Sequence, residues 1–455
     1  MVDINNKTLK ENLDIDVSKI VSEMKDMNSV NNVPAGDFVR DGMNNYKAFA
    51  EAKIPYCRNH DAAGYYGYCG EFIVDVHRIF RNFDADVDDE ASYDFEYTDK
   101  YVQAARDVGS EVFYRLGAMI EHYKKVGTYP PKDFHKWAGI CEHIIRHYNE
   151  GWSNGFQYNL KYWEIWNEPE CRNADGSNPC WQGTLEQFNE FFVIVFKHLK
   201  QRFPDLHIGG PAYCGCWRDG INHDFFDILK KNDITLDFFS FHGYHREPSQ
   251  YYDDGEHAYE LLCEYGVQDK TELILDEWNY VNKWTGQEFI DSIYAIKGLK
   301  GASFIAGTMA AGQASKLDHM MYYDARPCTW NGMFDTTFLT PLKGYYPFKM
   351  YGEMYGLKKQ ILTKTESEHT YVVGACDGKK ACIMVTYFDN DSNAPGKEVE
   401  VEISGMKEGN KTIEYYLLDE NHDCELVKTE KTKAKTKKTT LRFDLYSTWY
   451  IKVLD

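Results

Sequence analysis

An alternation of two kinds of segment narrows the possible folds more than any other feature of this chain. From about residue 25 to 350, short runs rich in aromatic and β-branched residues are separated by stretches with the three-to-four-residue apolar spacing of helices. Strand and helix in turn bury both kinds of apolar face by laying helices over a parallel sheet. Candidate strands occupy 56–61, 111–117, 162–169, 206–212, 236–244, 272–280 and 317–324, and the weaker segment 27–36 supplies an eighth. Eight such units in succession predict a (β/α)8 TIM barrel, an α/β fold.

The intervening helices carry their own punctuation. Phe134, Trp137, Cys141, Ile144, Ile145 and Tyr148 recur at helical spacing. Thr184 and Gln187 form a capping box, and Leu185, Phe188, Phe191, Phe192, Val195, Phe196 and Leu199 line one face until Pro204 stops the helix. After Gly356 the period changes from helical to two, with turn residues between runs, which predicts an antiparallel β-sandwich. The domain plan is thus a barrel over 25–350 and a β-sandwich over 351–455, with residues 1–24 as a candidate further strand of the sandwich.

The formal net charge of −20 disfavours phosphate backbones and anionic lipid surfaces, so neither nucleic acid nor membrane is expected as a partner. The Lys-Thr run from Lys428 to Lys438 reads as a solvated hairpin or edge strand. The first residues lack a basic segment followed by an apolar one, and no window reaches the roughly 20 apolar residues of a membrane span, so a cytoplasmic location is expected if the chain begins at its native start. The 12 cysteines include no CxxC pair, and most are expected to be reduced and buried. Cys171 and Cys180 bracket a loop rich in Asn, Gly, Asp and Pro, while Cys214 and Cys216 form a CxC; either pair could bridge or bind metal adventitiously.

Glu168, in YWEIWNEP, and Glu277, in LILDEWNY, each stand near the carboxyl end of a predicted strand, where a (β/α)8 barrel gathers its reactive groups. They are 109 residues apart, room for three βα units, which puts them on the fourth and seventh strands. Glycoside hydrolysis needs such a pair: one carboxyl protonates the departing oxygen and the other supports positive charge at the anomeric carbon. There is no GxSxG elbow, HExxH helix, P-loop or Rossmann glycine fingerprint, so no metal or nucleotide cofactor is called for.

At YWEIWNEPE, the IGGPA run at 208–212, the SFHGY run at 240–244, EWN at 277–279 and Arg58-Asn59-His60, the sequence resembles the clan of retaining barrel glycosidases, and within it glycoside hydrolase family 39, which includes β-xylosidases and α-L-iduronidases. The resemblance implies Glu168 as general acid/base and Glu277 as nucleophile. It implies that Asn167 binds the sugar 2-hydroxyl, that Tyr244 and Arg58 orient and keep ionised Glu277, and that His60 and His242 line the sugar subsite. Arg58 is also a candidate buried partner of Glu164, and Asp61 is either a hydroxyl ligand or a turn cap. Trp181 and Trp330 are candidate stacking platforms or loop anchors.

The implied activity is β-xylosidase action on an oligosaccharide or small glycoside. Asp276 stands where the xylosidases carry Thr, and the resulting DEWN resembles the α-L-arabinofuranosidases of family 51. An arabinoside-releasing enzyme is therefore the second reading, and a carbohydrate-binding barrel without catalysis is the reading from another class.

Overall fold

The computed structural model describes residues 10–36, 43–60, 73–367 and 369–455. Eight strands close a parallel barrel in chain order: β2 (Asp26–Asn31), β3 (Tyr56–Asn59), β4 (Glu111–Leu116), β5 (Tyr162–Ile165), β6 (His207–Tyr213), β7 (Phe238–His245), β8 (Glu272–Tyr280) and β9 (His319–Tyr322). Glu168 follows β5, the fourth barrel strand, and Glu277 lies on β8, the seventh. The capping box at Thr184 forms and opens the helix Leu185–Arg202, whose buried face carries Phe188, Phe191, Phe192, Val195, Phe196 and Leu199. The helix Phe134–Asn149 buries Trp137, Cys141, Ile144, Ile145 and Tyr148. Among the described residues no helix is long and apolar enough to cross a membrane.

Alternation along the strands sorts the barrel interior into layers. On β7, Phe238, Ser240, His242 and Tyr244 share one side; on β5, Tyr162 and Glu164 do. Phe113, Tyr162, Phe238, Ile274 and Met321 form an apolar layer towards the amino ends of the strands. Above it lie Arg58, Glu164, Ser240 and Asp276, all buried.

The second sheet has nine strands in the order β15-β14-β17-β12-β11-β10-β1-β13-β16. They are β1 (Lys10–Glu23), β10 (Lys359–Thr365), β11 (Thr370–Cys376), β12 (Lys380–Tyr387), β13 (Lys397–Ser404), β14 (Lys411–Leu418), β15 (Asp423–Thr432), β16 (Lys437–Phe443) and β17 (Thr448–Leu454). All neighbours are antiparallel except β1 and β13, which run parallel from Lys10↔Glu398 to Asp16↔Ser404. Strands from both ends of this order contribute to one apolar core, including Val401, Phe443, Ile413 and Tyr415, so the sheet folds over into a sandwich. The Lys-Thr run occupies the two edge strands, β15 and β16, where Lys428 reaches across to the Thr439 hydroxyl at 3.1 Å.

Candidate active site

The local backbone at the end of β5 explains how Glu168 reaches the barrel mouth. Trp166 (φ 76°) and Glu168 (φ 47°) both adopt the left-handed region that non-glycine residues rarely occupy. These turns break the strand's alternation: Trp166 packs outward against Trp137, Trp181 and Phe191, while the Glu168 amide donates to Ala212 O at 2.9 Å. Ala212 belongs to the IGGPA run, where β6 presses so close to β7 that a Cβ on Gly209 would sit 2.1 Å from Phe238 O.

Glu277 is held from several sides. Arg58 Nη1 and His60 Nε2 each lie 3.0 Å from its Oε1, and the Tyr244 hydroxyl donates to its Oε2 at 2.8 Å. Burial alone would favour the neutral acid, but His242, His60 and Arg58 outweigh it and hold this carboxyl well below the usual range. It is a carboxylate at any working pH.

His242 connects the two acids. Its Nδ1 is 2.7 Å from Glu168 Oε1 and 3.4 Å from Glu277 Oε2, and its Nε2 is 3.7 Å from Asp276 Oδ1. Burial disfavours the charged ring, yet Glu277, Asp276 and Glu168 together raise its pKa to about 10, so it is an imidazolium at neutral pH. A carboxylate oxygen of Glu168 and one of Glu277 lie within 4.8 Å of each other, with this ring between them.

Arg58 is the hub beneath. Besides Glu277 it binds Glu164 Oε2 through Nε at 2.7 Å, Asn31 Oδ1 through Nη1 at 3.0 Å and Asn167 Oδ1 through Nη2 at 2.8 Å. Both expectations for Arg58, partner of Glu164 and orienter of Glu277, describe contacts that coexist. Burial and the adjacent Glu164 push Asp276 well above the normal carboxylate range, while Arg58 and its hydrogen bonds hold Glu164 below it. Asp276 thus lies under the site, against Arg58 Nε at 3.1 Å, rather than at its mouth.

Other predicted residues fall differently. Asn167 is anchored by its oxygen on Arg58, which leaves its amide nitrogen as the donor towards the mouth. His60 and His242 turn their ring nitrogens to carboxylates instead of forming an open lining. Trp330 stays half-buried against Tyr244 (5.7 Å between centroids), Trp284 and Tyr323. Trp181 cannot be a stacking platform: it is 0% exposed, packs edge-on against Trp166 and donates to Thr184 O at 3.0 Å, so it anchors the loop. Asp61 lies outside the described residues.

Two participants had no clear signal in the sequence, and a third was visible only as half of the CxC pair. Asn31 joins Arg58 to the Asp276 carbonyl, which its amide reaches at 2.7 Å. Trp284, 57% exposed, stands 5.2 Å from Tyr244 at the mouth. Cys171 lies beside Cys180, with Cys214 on the same side of the loop, whereas Cys216 donates to Asp254 O in another part of the structure. Asn31 ends the mostly polar strand Asp26–Asn31 and could have been suspected from its place at a strand end; the other two depend on loop paths. All 11 cysteines among the described residues are free thiols.

A model of "Glycosyl hydrolases family 39" matches residues 41–260. The β-xylosidase of Geobacillus stearothermophilus is 27% identical over 191 residues, 38% of this chain and 36% of that protein, so the match spans little more than a third of this relative. A glucosidase from Croceicoccus marinus superposes over 98% of this chain and 99% of its own with a TM-score of 0.79 at 19% identity. A monomeric β-xylosidase from Caulobacter crescentus CB15 does so over 97% and 99%, with a TM-score of 0.70 at 15% identity. The family model matches a little under half of the chain, and the solved structures share its fold.

Proposed function

We propose that the protein is a retaining glycoside hydrolase in which Glu277 attacks the anomeric carbon and Glu168 first protonates the departing oxygen and then deprotonates water. The observation that carries this reading is that one oxygen of Glu168 and one of Glu277 lie within 4.8 Å of each other, which supports the shorter of two carboxyl spacings. Retention works with carboxyl groups about 5–5.5 Å apart, whereas inversion needs about 6.5–9.5 Å to seat a water between sugar and base. Unequal surroundings support the division of labour. Glu277 is surrounded by Arg58, His60, Tyr244 and His242, which stabilise a carboxylate, while Glu168 receives one short hydrogen bond from His242 and is 16% exposed towards the mouth.

His242 keeps the pair poised. While Glu168 carries its proton on Oε2, the imidazolium bonds Oε1; once the proton leaves, the same ring stabilises the new carboxylate, so the charge develops beside a fixed cation. Asn167 supplies the donor for the 2-hydroxyl.

The substrate proposed is a neutral oligosaccharide from which β-linked xylose is released at a chain end, with α-L-arabinofuranosides as the competing substrate. Asp276, the residue that suggested arabinosides, sits below the carboxylates and does not itself contact a sugar, which favours the xyloside. The deciding experiment compares kcat/KM for aryl β-D-xylopyranoside and aryl α-L-arabinofuranoside, and follows the anomer first released by NMR. Release of the inverted anomer would overturn the mechanism; negligible turnover of both pentosides would overturn the substrate. Glu168→Gln should lose about 10²-fold or more on poorly activated leaving groups and far less on dinitrophenolates.

A further inference from the structure

We infer that Cys171, Cys180 and Cys214, together with Glu168 Oε2, form a binding site for a thiophilic divalent cation such as zinc, and that occupancy of this site switches off the acid/base. The cluster of Glu168, Cys171 and Cys180 stands on geometry; its effect on turnover rests on the reading of Glu168 given above.

One carboxylate oxygen of Glu168 and the sulfurs of Cys171 and Cys180 all lie within 4.8 Å of one another, and the Cys180 thiol reaches Glu168 Oε2 at 3.9 Å. Cys214 is a further thiol on the Cys171 side of this group. A tetrahedral zinc bound at about 2.3 Å to each sulfur places neighbouring sulfurs about 3.7 Å apart, so Glu168 and the sulfurs of Cys171 and Cys180 need only small rotations to close on one ion, with Cys214 brought in as the fourth donor. Three thiolates and a carboxylate on a tetrahedron select zinc or another soft cation over magnesium or calcium.

The donors are held in place by the chain around them. The Cys171 amide donates to Glu168 O at 3.0 Å, the Cys180 amide to Asn178 Oδ1 at 2.8 Å, and the Cys214 amide to Glu170 Oε1 at 2.6 Å. Asn178 ties the returning limb of the loop to Pro169 O at 2.7 Å, and Trp166 Nε1 fixes the Cys180 carbonyl at 3.0 Å. Glu170 Oε2 is buried without a hydrogen-bond partner, a second carboxyl oxygen beside the trio that a cation would compensate. These contacts form an outer layer that orients the ligands.

Binding releases the thiol protons to solvent as three sulfur–metal bonds form. It also occupies Oε2 of Glu168, the oxygen left over when Oε1 bonds His242, so a metal-loaded enzyme has no oxygen from which to protonate a leaving group.

The test uses the full-length protein, reduced and freed of metal by chelation, titrated with cobalt and then zinc. We expect one equivalent of cobalt with thiolate-to-cobalt charge-transfer absorption and tetrahedral visible bands, displaced by zinc and lost in Cys171→Ser/Cys214→Ser. Zinc should slow wild-type turnover of an alkyl xyloside by about 10²-fold, the scale of a positioned general acid, reversibly with chelator, and leave the double variant's turnover unchanged. Absence of a thiolate band, or its survival in the double variant, overturns the site. Uptake of no metal together with a Cys171–Cys180 disulfide by mass also overturns it, in favour of a redox pair. Zinc inhibition that persists in the double variant places the ion on Glu168, His242 and Glu277 and overturns the switch. Should the double variant not fold, Cys214→Ala alone gives the same spectroscopic readout.

Discussion

The two ends of the barrel solve the burial of charge in opposite ways. At the amino ends of the strands, Asp26 pairs with His319 at 3.2 Å, Glu272 accepts from the Tyr162 hydroxyl at 2.9 Å, and rings of Tyr56, Tyr162, Phe113 and Phe238 stack over them. Each acid there has a partner, and the layer above is apolar. At the carboxyl ends, Glu277, Glu168, Glu164 and Asp276 converge on Arg58 and His242, with His60 alongside. One end spends its polar groups on closing the barrel; the other gathers like charges that only a cationic hub makes tolerable. The lesson is that buried titratable clusters are not equivalent: convergence of several acids on a shared cation, at the end where loops open, distinguishes the proposed reactive one.

That contrast can be broken experimentally. The largest effect is expected for Glu277→Ala, which should lower kcat/KM by about 10⁴-fold or more, about 5 kcal/mol of barrier. With azide and an activated glycoside the same variant should give a glycosyl azide of inverted configuration. Ordinary activity in Glu277→Ala would remove the top of the barrel from the reaction. At the opposite end, Phe113→Ala should cost about 3–5 kcal/mol of unfolding free energy in denaturant titrations while kcat of the folded protein stays within about twofold. A collapse of kcat there would mean that the two ends are coupled. Tyr162→Phe, which removes the donor to Glu272, should cost about 1 kcal/mol with no change in turnover.

The smallest effect separates the ends by pH. Burial opposes a charged His319, but Asp26 and Glu272 raise it above its usual 6.5. A raised histidine contributes stability in full below 6.5 and loses it as pH climbs through the folded value. Glu277 is depressed below its usual 4.5, so its contribution is present above 4.5 and lost as pH falls through the folded value. Native stability should therefore soften on the acid side from Glu277 at the top, and on the alkaline side from His319 at the bottom together with His242 at the top, whose folded value is about 10. His319→Gln should reduce the alkaline slope and leave the acid slope as it is; an unchanged alkaline slope would remove His319 from that account.

The barrel was readable because parallel strands and amphipathic helices write different periods, and because Thr184, Gln187 and Pro204 mark a helix's ends in single residues. The paired position of Glu168 and Glu277 could be read for the same reason: once the strands are counted, their ends are known. What sequence could not convey was direction within the mouth. Whether Trp181 faces a sugar or a helix depends on Asn178 and the left-handed turns at Trp166 and Glu168, which fold the loop inward. Cys214 sits two residues from Cys216 and on a different side, because leaving β6 swings the chain away from Cys171 towards Asp254. The parallel pairing of β1 with β13 joins residues nearly 390 apart, a distance at which local pattern carries no information about partners.

That pairing has a consequence for how the molecule is made. β1 leaves the ribosome before any barrel strand, yet both its neighbours, β10 and β13, lie beyond residue 358. Leu13 and Ile15, at most 1% exposed in the finished protein, must wait unpaired while more than 300 residues are synthesised. For that interval the chain carries a 14-residue strand with both edges open, the kind of segment that seeks any other extended chain. Its bordering acids and lysines, Glu11, Asp14, Asp16 and Lys19, make it a poor partner for copies of itself. Production yield should therefore depend on translation speed and temperature more steeply than equilibrium stability does, and charge-removing changes on this one strand should raise aggregation during synthesis without lowering the stability of the protein that escapes it.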